Sequence, residues 1–454
     1  MPVRGMGGKV RQRSLVSAYD RTFPAGLVPE VRRAAAAHGY TVSVDDRRAA
    51  STTPSPCDLD WLADYQEGAL LDWLRAGGQG IAHMATASGK TELAVAAATA
   101  VPCTWLWLTH RVSLLRELAD RLERRTGEVA GVVSRDAWRP ARVTVASMQT
   151  LQAALKAKDP RARKLLAHVE GLMVDECHIL GSSSYFRLVM RCPAFYRLGL
   201  SATPFGRADK RGAMVVGAIG PVVTRVATGQ LAAAGAIARG TVHMVELPIR
   251  PHRAKSTGPL KYHDAYDLHV VRSNARTDLT TAIARRCARP ALAFVREEEH
   301  GRRLSLLLTE AGVEAEFTWG KKRVPEREAA VRRLEHADVD VLVCSAIFQE
   351  GVNIPSLAAV LHLAGGKAQI APLQNAGRGA RARDRTGAVV KTAFEVWDIA
   401  DVHCGCRAVT PEGGVVYRHR TCKWFDEHAR ARFREYRDEG YEVVVHAAAE
   451  FIPV

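Results

Sequence analysis

From about Gly78 to Thr203, short uninterrupted apolar runs alternate with longer stretches rich in Ala, Leu and Arg. The runs are GIAHM, TWLWLTH, ARVTVAS, GLMVDE and YRLGLSAT. Residues 290–295, PALAFV, start a second series that continues with VEAEFTW, VDVLVCSA, LAAVLHLA and AVVKTAFEVWD. Strands that alternate with helices predict parallel sheets covered on both faces, and two series predict two α/β lobes. Between them, GQLAAAGAIARGTVHMVELPI leads into RPHRAKSTGPLKYHD, which reads as a surface excursion. Four segments result: a small N-terminal unit over 1–58, with VRRAAAAHGY as a helix and TVSVDD as a strand; a lobe over 59–235; a second lobe over 236–402; and a basic, aromatic, helical extension over 403–454.

A chain of 454 residues exceeds one ordinary domain, in keeping with that division. Its 47% hydrophobic and 25% charged residues are those of a soluble globular protein. The charge is less ordinary: 64 Lys and Arg against 48 Asp and Glu, a formal +16, points to a polyanionic partner. Leu93 to Leu108 is the longest apolar run, but Pro102 breaks it and it is short for a bilayer, so no membrane role is expected. The basic N-terminus lacks a following apolar segment, and nine scattered cysteines fit reduced thiols. A cytoplasmic protein, in a bacterium or a phage-infected host, is the reading.

In HMATASGKTELAVAAATA, Ser88, Gly89, Lys90 and Thr91 follow an apolar run and open a helical stretch. A strand, a turn of small residues and a helix N-terminus aim backbone N–H groups at one point, which suits a phosphate; Lys90 adds charge and Thr91 can hold Mg²⁺. Met84 and Ala87 stand where a glycine-rich loop would have glycines, so this signal needs partners. GLMVDECH places Asp175 and Glu176 at the end of an apolar run, where open α/β sheets gather ligands: Asp175 for Mg²⁺, Glu176 for the attacking water. In the second series FQEGVNIP offers Gly351 and Asn353, and LQNAGRGARAR offers Gln374, Arg378 and Arg381. Guanidinium groups spaced by three lie near one helix face and suit a transferring phosphoryl group.

This ordered set resembles the superfamily 2 helicases and translocases, built from two RecA-like lobes. The box Asp175–His178 looks like a DECH variant, Ser201-Ala202-Thr203 like motif III, LTHRVSLLREL and VASMQTL like motifs Ia and Ib, ALAFVREEEHG like motif IV, EGVNIP like motif V and QNAGRGAR like motif VI. Gln66 sits where the family places an adenine-reading glutamine. The leader and the GGKAQIAPLQNAGR segment look closest to the phage UvsW and XPB-like branch. Ala87 and Asn353 depart from the usual residues at their positions.

The resemblance implies ATP hydrolysis with Mg²⁺ between the lobes. Lys90, Glu176, Arg378 and Arg381 are then catalytic; Gln66, Ser88, Gly89, Thr91, Asp175, Gly351 and Asn353 bind nucleotide and metal. His178, Ser201, Thr203 and Gln374 couple hydrolysis to movement, and His110, Arg111, Ser147, Gln149, Arg296 and His300 contact a nucleic-acid strand through its phosphates. The expected protein is a DNA helicase or translocase in recombination, repair or replication, working as a monomer, with DNA favoured over RNA. An RNA helicase is the alternative with the same chemistry. A binding scaffold with a vestigial ATP site is another, against which the intact Lys90, Glu176, Arg378 and Arg381 argue. Cys404, Cys406, His419 and Cys422 raise zinc, but a CxC and HxxC spacing favours incidental loop cysteines. For the last fifty residues a packed amphipathic helix, with Phe433 and Tyr436 facing the core, is preferred over a base-stacking surface.

Overall fold

The computed structural model describes residues 2–4, 10–12, 15, 22–46, 52–112, 114–205, 211–249, 261–320, 322–345, 354–366, 376–377, 379–380, 388–403, 407–409, 415–417 and 420–453. The chain divides into two units, Met1–Val226 and Ala227–Val454.

In the first unit a short antiparallel ribbon, β1 (Pro2–Arg4) and β2 (Val10–Gln12), precedes the helix Val28–Ala37. TVSVDD at 41–46 is not a strand: it runs without secondary structure and makes no ladder. Alternating polar residues without a partner edge do not suffice for strand pairing. The sheet holds β3 (Gln79–Met84), β4 (Trp105–Thr109), β5 (Gly131–Val133), β6 (Trp138–Arg139), β7 (Val143–Ser147), β8 (Gly171–Asp175), β9 (Tyr196–Ser201) and β10 (Val222–Val226). Among the described residues its order is β10-β3-β9-β8-β4-β7-β5-β6, with only the β5–β6 pair antiparallel. Every residue of β4, β7 and β9 is buried, which is why these strands read as continuous apolar runs. The helix Lys90–Ala100 is also apolar nearly all round, and packs against β9 and the helices Asp64–Arg75 and Leu114–Thr126.

The second unit carries β11 (Arg239–Ile249), β12 (Ala291–Val295), β13 (Ala315–Thr318), β14 (Val341–Ser345), β15 (Ala359–His362), β16 (Ala393–His403) and β19 (Glu442–Ala447). A separate antiparallel pair is formed by β17 (Arg407–Val409) and β18 (Val415–Tyr417). Among the described residues the large sheet runs β13-β14-β12-β15-β16-β11-β19, all parallel. Two parallel α/β lobes are thus present, as the two strand series predict. The segment leading into the expected surface excursion forms β11, which pairs β16 along its whole length and takes β19 on its other side, while residues 250–260 of the excursion lie outside the described residues. The C-terminal segment does form a helix, Arg420–Asp438, but then turns back to supply that edge strand. On this helix Tyr436 is fully buried and Phe433 only half-buried.

Two buried histidines lie in this second unit. His300, in the helix Glu298–Glu310, and His362, at the end of β15, are each held down to about 4, in both cases chiefly by burial. The charges of Arg276 and Arg303 add to the effect at His300. Neutral imidazole therefore stabilises the fold fully above about pH 6.5, and that contribution is lost as pH falls towards 4, because the unfolded chain binds the protons first. Urea unfolding at pH 7 and pH 5 should show a loss on the order of 2 kcal/mol per histidine. A His300→Gln, His362→Gln double variant should lose that much less over the same interval; an unchanged pH dependence would refute the assignment.

Candidate nucleotide site of the first unit

Parallel pairing puts the C-terminal ends of β3, β9 and β8 side by side, and each end carries one of the sequence motifs. The loop after β3 reaches its helix through two left-handed residues, Ala87 at φ 67° and Gly89 at φ 73°. Gly89 is suited to this conformation; Ala87 carries a Cβ that costs on the order of 1 kcal/mol there. A Cβ at Gly89 would lie 2.2 Å from Gln66 Nε2, so a side chain there would displace that carboxamide.

Two side chains from the head of the helix Asp64–Arg75 brace this loop. Gln66 Nε2 and Tyr65 Oη both donate to the Ser88 carbonyl, at 2.9 and 3.2 Å. Gln66 Oε1 in turn accepts from Ala63 N at 3.0 Å, so the buried carboxamide is engaged at both ends. The Tyr65 contact had no sequence signal beyond adjacency to Gln66. Lys90 Nζ donates to the carbonyls of Met84 and Ala85, at 3.3 and 3.2 Å. Ser88 is fully buried, and its Oγ has no hydrogen-bond partner among the described residues. Thr91 is half-buried in the first helical turn, and Glu92 beside it is ion-paired with Arg121 and Arg125.

At the end of β8, Glu176 is itself left-handed, with φ 50° and ψ 54°, and opens the 3₁₀ turn Cys177–Gly181. A network joins this turn to the end of β9. His178 Nδ1 lies 3.3 Å from Glu176 Oε2 and 3.2 Å from Ser201 Oγ. Ser201 Oγ donates to Glu176 Oε2 at 3.2 Å and accepts from Thr203 N at 3.1 Å. His83 of β3 closes the group through the Ala202 carbonyl at 2.9 Å. Burial, with the adjacent Glu176 charge, pushes Asp175 up to about 6. Burial would raise Glu176 too, but the hydrogen bond from His178 and the charge of Lys90 outweigh it and draw that carboxyl below its usual range.

Among the described residues, an ammonium held only by carbonyls, an unpartnered buried hydroxyl at Ser88, a helix N-terminus and an acidic pair fit a polyphosphate with a hard divalent cation. Lys90, Ser88 and the first amides of the helix Lys90–Ala100 face the anion's requirements; Thr91 and Asp175 have the oxygen chemistry for Mg²⁺.

Residues expected along a nucleic-acid strand gather at the ends of β4 and β7. Ser147 caps the helix Met148–Lys156 and donates to Gln149 Oε1 at 3.1 Å, while Gln149 Nε2 donates to the His110 carbonyl at 2.7 Å. The charge of Arg111 reaches both Asp175 and Glu176 and favours their ionised forms. In the second unit Arg296 is exposed and stacks over the Tyr266 ring at 5.2 Å. His300 departs from expectation: it is only 5% exposed and offers no surface contact, because it lies on the inner side of its amphipathic helix.

Gly351, Asn353, Gln374, Arg378 and Arg381 lie outside the described residues, as do Cys404, Cys406, His419 and the side chain of Cys422. Among the described residues no group of three or more His, Cys, Asp or Glu could hold a metal ion, and no helix is long and apolar enough to cross a membrane.

Residues 61–206 match the family model for the res subunit of type III restriction enzymes, and residues 275–383 match that for the helicase conserved C-terminal domain. Helicase 22 of Sulfolobus islandicus filamentous virus is 21% identical over 348 residues, 70% of this chain and 61% of its own. The DNA 3'-5' translocase XPB2 of Sulfurisphaera tokodaii is 23% identical over 366 residues, covering 73% of this chain and 81% of its own. The chain thus spans less than two thirds of the viral relative. Among solved structures, the ATP-dependent type ISP restriction-modification enzyme LlaBIII bound to DNA shares the fold with a TM-score of 0.57 at 16% identity, over 85% of this chain and 31% of that one. The two matched family models, falling in order on two parallel-sheet lobes, make the chain a member of superfamily 2 of the helicases and translocases.

Proposed function

We propose that this chain is an ATP-dependent helicase or translocase acting on nucleic acid, with DNA as its strand, as in the XPB-like proteins it is similar to. The observation that carries the reading is the convergence of Lys90, Asp175, Glu176 and Ser201 at the ends of three adjacent parallel strands. The relatives named as DNA 3'-5' translocase or helicase support the choice of DNA, and the excess of positive charge supports a polyanionic track.

In this reading Lys90 and the amides at the head of its helix bind the terminal phosphates of ATP, and Ser88 offers its buried hydroxyl. Thr91 and Asp175 hold Mg²⁺, which when bound neutralises charge on the phosphate oxygens. Glu176, kept ionised by His178, orients water and accepts its proton. Ser201, bonded both to Glu176 and to the Thr203 amide, relays the state of the nucleotide pocket into the segment after β9. Gln66 supports the phosphate loop and presents its helix head to the base. Arg378 and Arg381 bring guanidinium groups to the transferring phosphoryl, with Gln374, Gly351 and Asn353 around the nucleotide. His110, Arg111, Ser147, Gln149 and Arg296 line the strand. Sequence preference is low and binding weakens steeply with salt, as phosphate contacts dictate.

ATP turnover measured with single-stranded DNA, duplex and RNA tests this. Glu176→Gln should lower nucleic-acid-stimulated turnover by roughly 10²–10⁴-fold. Absence of stimulation by any nucleic acid, or an unaffected variant, would overturn the motor; stimulation by RNA alone would replace DNA by RNA.

Lys90→Met should weaken nucleotide binding by about ten-fold or more, the scale of one charged hydrogen bond. Its melting temperature should stay near wild type, because Nζ meets only two loop carbonyls among the described residues. Equilibrium titration with a fluorescent ATP analogue and a thermal melt read the two effects, and unchanged nucleotide affinity would remove Lys90 from the site.

A further inference from the structure

His83 is the single polar side chain in the run GIAHM, and no motif claims it. It stands next to the end of β3, the strand that leads into the phosphate loop, and the two residues after it, Met84 and Ala85, supply the carbonyls that hold Lys90 Nζ. Parallel register sets His83 between Arg225 of β10 and Ser201 of β9. Its ring reaches across to the end of β9, where Nε2 lies 2.9 Å from the Ala202 carbonyl. Burial, and then the Arg225 charge, lower the pKa of this imidazole, so the ring is neutral near pH 7 and the nitrogen facing the carbonyl, Nε2, carries the proton.

The carbonyl that His83 holds belongs to a peptide whose other end is also held. Ala202 O and Thr203 N are parts of one planar unit. Both residues are buried, and Ala202 lies one position past the last register pair of β3 and β9, so its carbonyl needs a donor from a side chain. At the other end Thr203 N donates to Ser201 Oγ at 3.1 Å, and that hydroxyl donates to Glu176 Oε2 at 3.2 Å. A hydroxyl has one proton, so accepting from the Thr203 amide leaves that proton for the carboxylate. One rigid peptide is thus gripped at its oxygen from the phosphate-loop strand and at its nitrogen by the side chain that bonds Glu176.

We infer that His83 is a positioning residue for turnover: by fixing the Ala202–Thr203 peptide it aims the Ser201 hydroxyl at Glu176, and it ties that aim to the strand whose end holds Lys90. The inference rests on the proposed role of Glu176. The path from imidazole to carboxylate runs through one planar peptide and one hydroxyl, with no flexible segment between them. A rotated peptide would leave Ala202 O unsatisfied inside the protein, which is why a single bond from His83 suffices to hold it.

His83→Phe deletes the donor and keeps a ring, whereas His83→Gln puts an amide N–H where Nε2 was. Nucleic-acid-stimulated kcat, KM for ATP and thermal melts are measured for both variants in wild-type and Ser201→Ala backgrounds. His83→Phe should lower kcat about five-fold, the scale of one buried hydrogen bond, with KM within about two-fold of wild type, and His83→Gln should recover most of that loss. In the Ser201→Ala background His83→Phe should lower the melting temperature as before but leave kcat where Ser201→Ala alone puts it, because both act on Glu176 through one hydroxyl. A packing role would carry the same fold-loss of kcat into both backgrounds, and that result overturns the inference. So does a folded His83→Phe enzyme with wild-type kcat, or a His83→Gln enzyme as slow as His83→Phe. Ser201→Ala at full rate removes the hydroxyl from turnover, and the inference with it, while the Glu176 assignment stands on Glu176→Gln alone. An unaffected Glu176→Gln enzyme, by contrast, overturns the reading on which the inference rests. Should His83→Phe fail to fold, His83→Asn, one methylene too short to place a donor at the Nε2 position, carries the same comparison.

Discussion

The arrangement of the first unit depends on parallel pairing of β3, β9 and β8. Because neighbouring parallel strands end on the same side, the loop that carries Lys90, the acidic pair Asp175–Glu176 and the Ser201–Thr203 segment meet without any long excursion of chain. The Ser201 hydroxyl then makes the meeting specific, donating to Glu176 and accepting from the Thr203 amide. Charge follows geometry there. Burial alone would favour the protonated form of both carboxyls, yet His178 and Lys90 keep Glu176 ionised while Asp175 is the one that rises. Two adjacent carboxylates thereby acquire different electrostatic characters.

Strain in the same region is met by neighbouring contacts. Ala87 and Glu176 both adopt left-handed backbone without being glycine. Each sits beside a hydrogen-bonded brace, Tyr65 and Gln66 on Ser88 O in the first case and His178 with Ser201 in the second. Strained backbone of this kind persists where its surroundings over-determine it. At the end of β15 in the second unit glycines take the left-handed positions without strain, and buried Tyr and Arg donors hold the loop carbonyls.

Much of this was legible in the chain itself. Uninterrupted apolar runs such as TWLWLTH and VDVLVCSA mark strands buried on both faces, because only a covered parallel sheet hides side chains that point both ways. Gly89-Lys90-Thr91 and Asp175–His178 stood out because their chemistry is local in sequence. Other features carried no local signal. β11 reads as the approach to a polar excursion, and becomes a strand between β16 and β19 only because both of its neighbours arrive much later in the chain. TVSVDD has a strand's alternation but no edge to pair with. His300 looks like a polar residue beside a motif, and its place on the inner side of its helix turns it inward.

Arg432 makes the division clearest. In sequence it is one of many arginines in HARARFREYRD, indistinguishable from a solvated helix face. In the folded unit it is fully enclosed, paired with Asp398 and bonded to a loop carbonyl that precedes it by dozens of residues. The sequence by itself marked the doubly covered strands of both series, that these form two lobes, and which residues are candidates for phosphate chemistry, since periodicity and residue type act over short range. Only tertiary structure decided which polar groups are desolvated and which carbonyls they must satisfy, because burial and hydrogen-bond partnership are set by segments that meet in space.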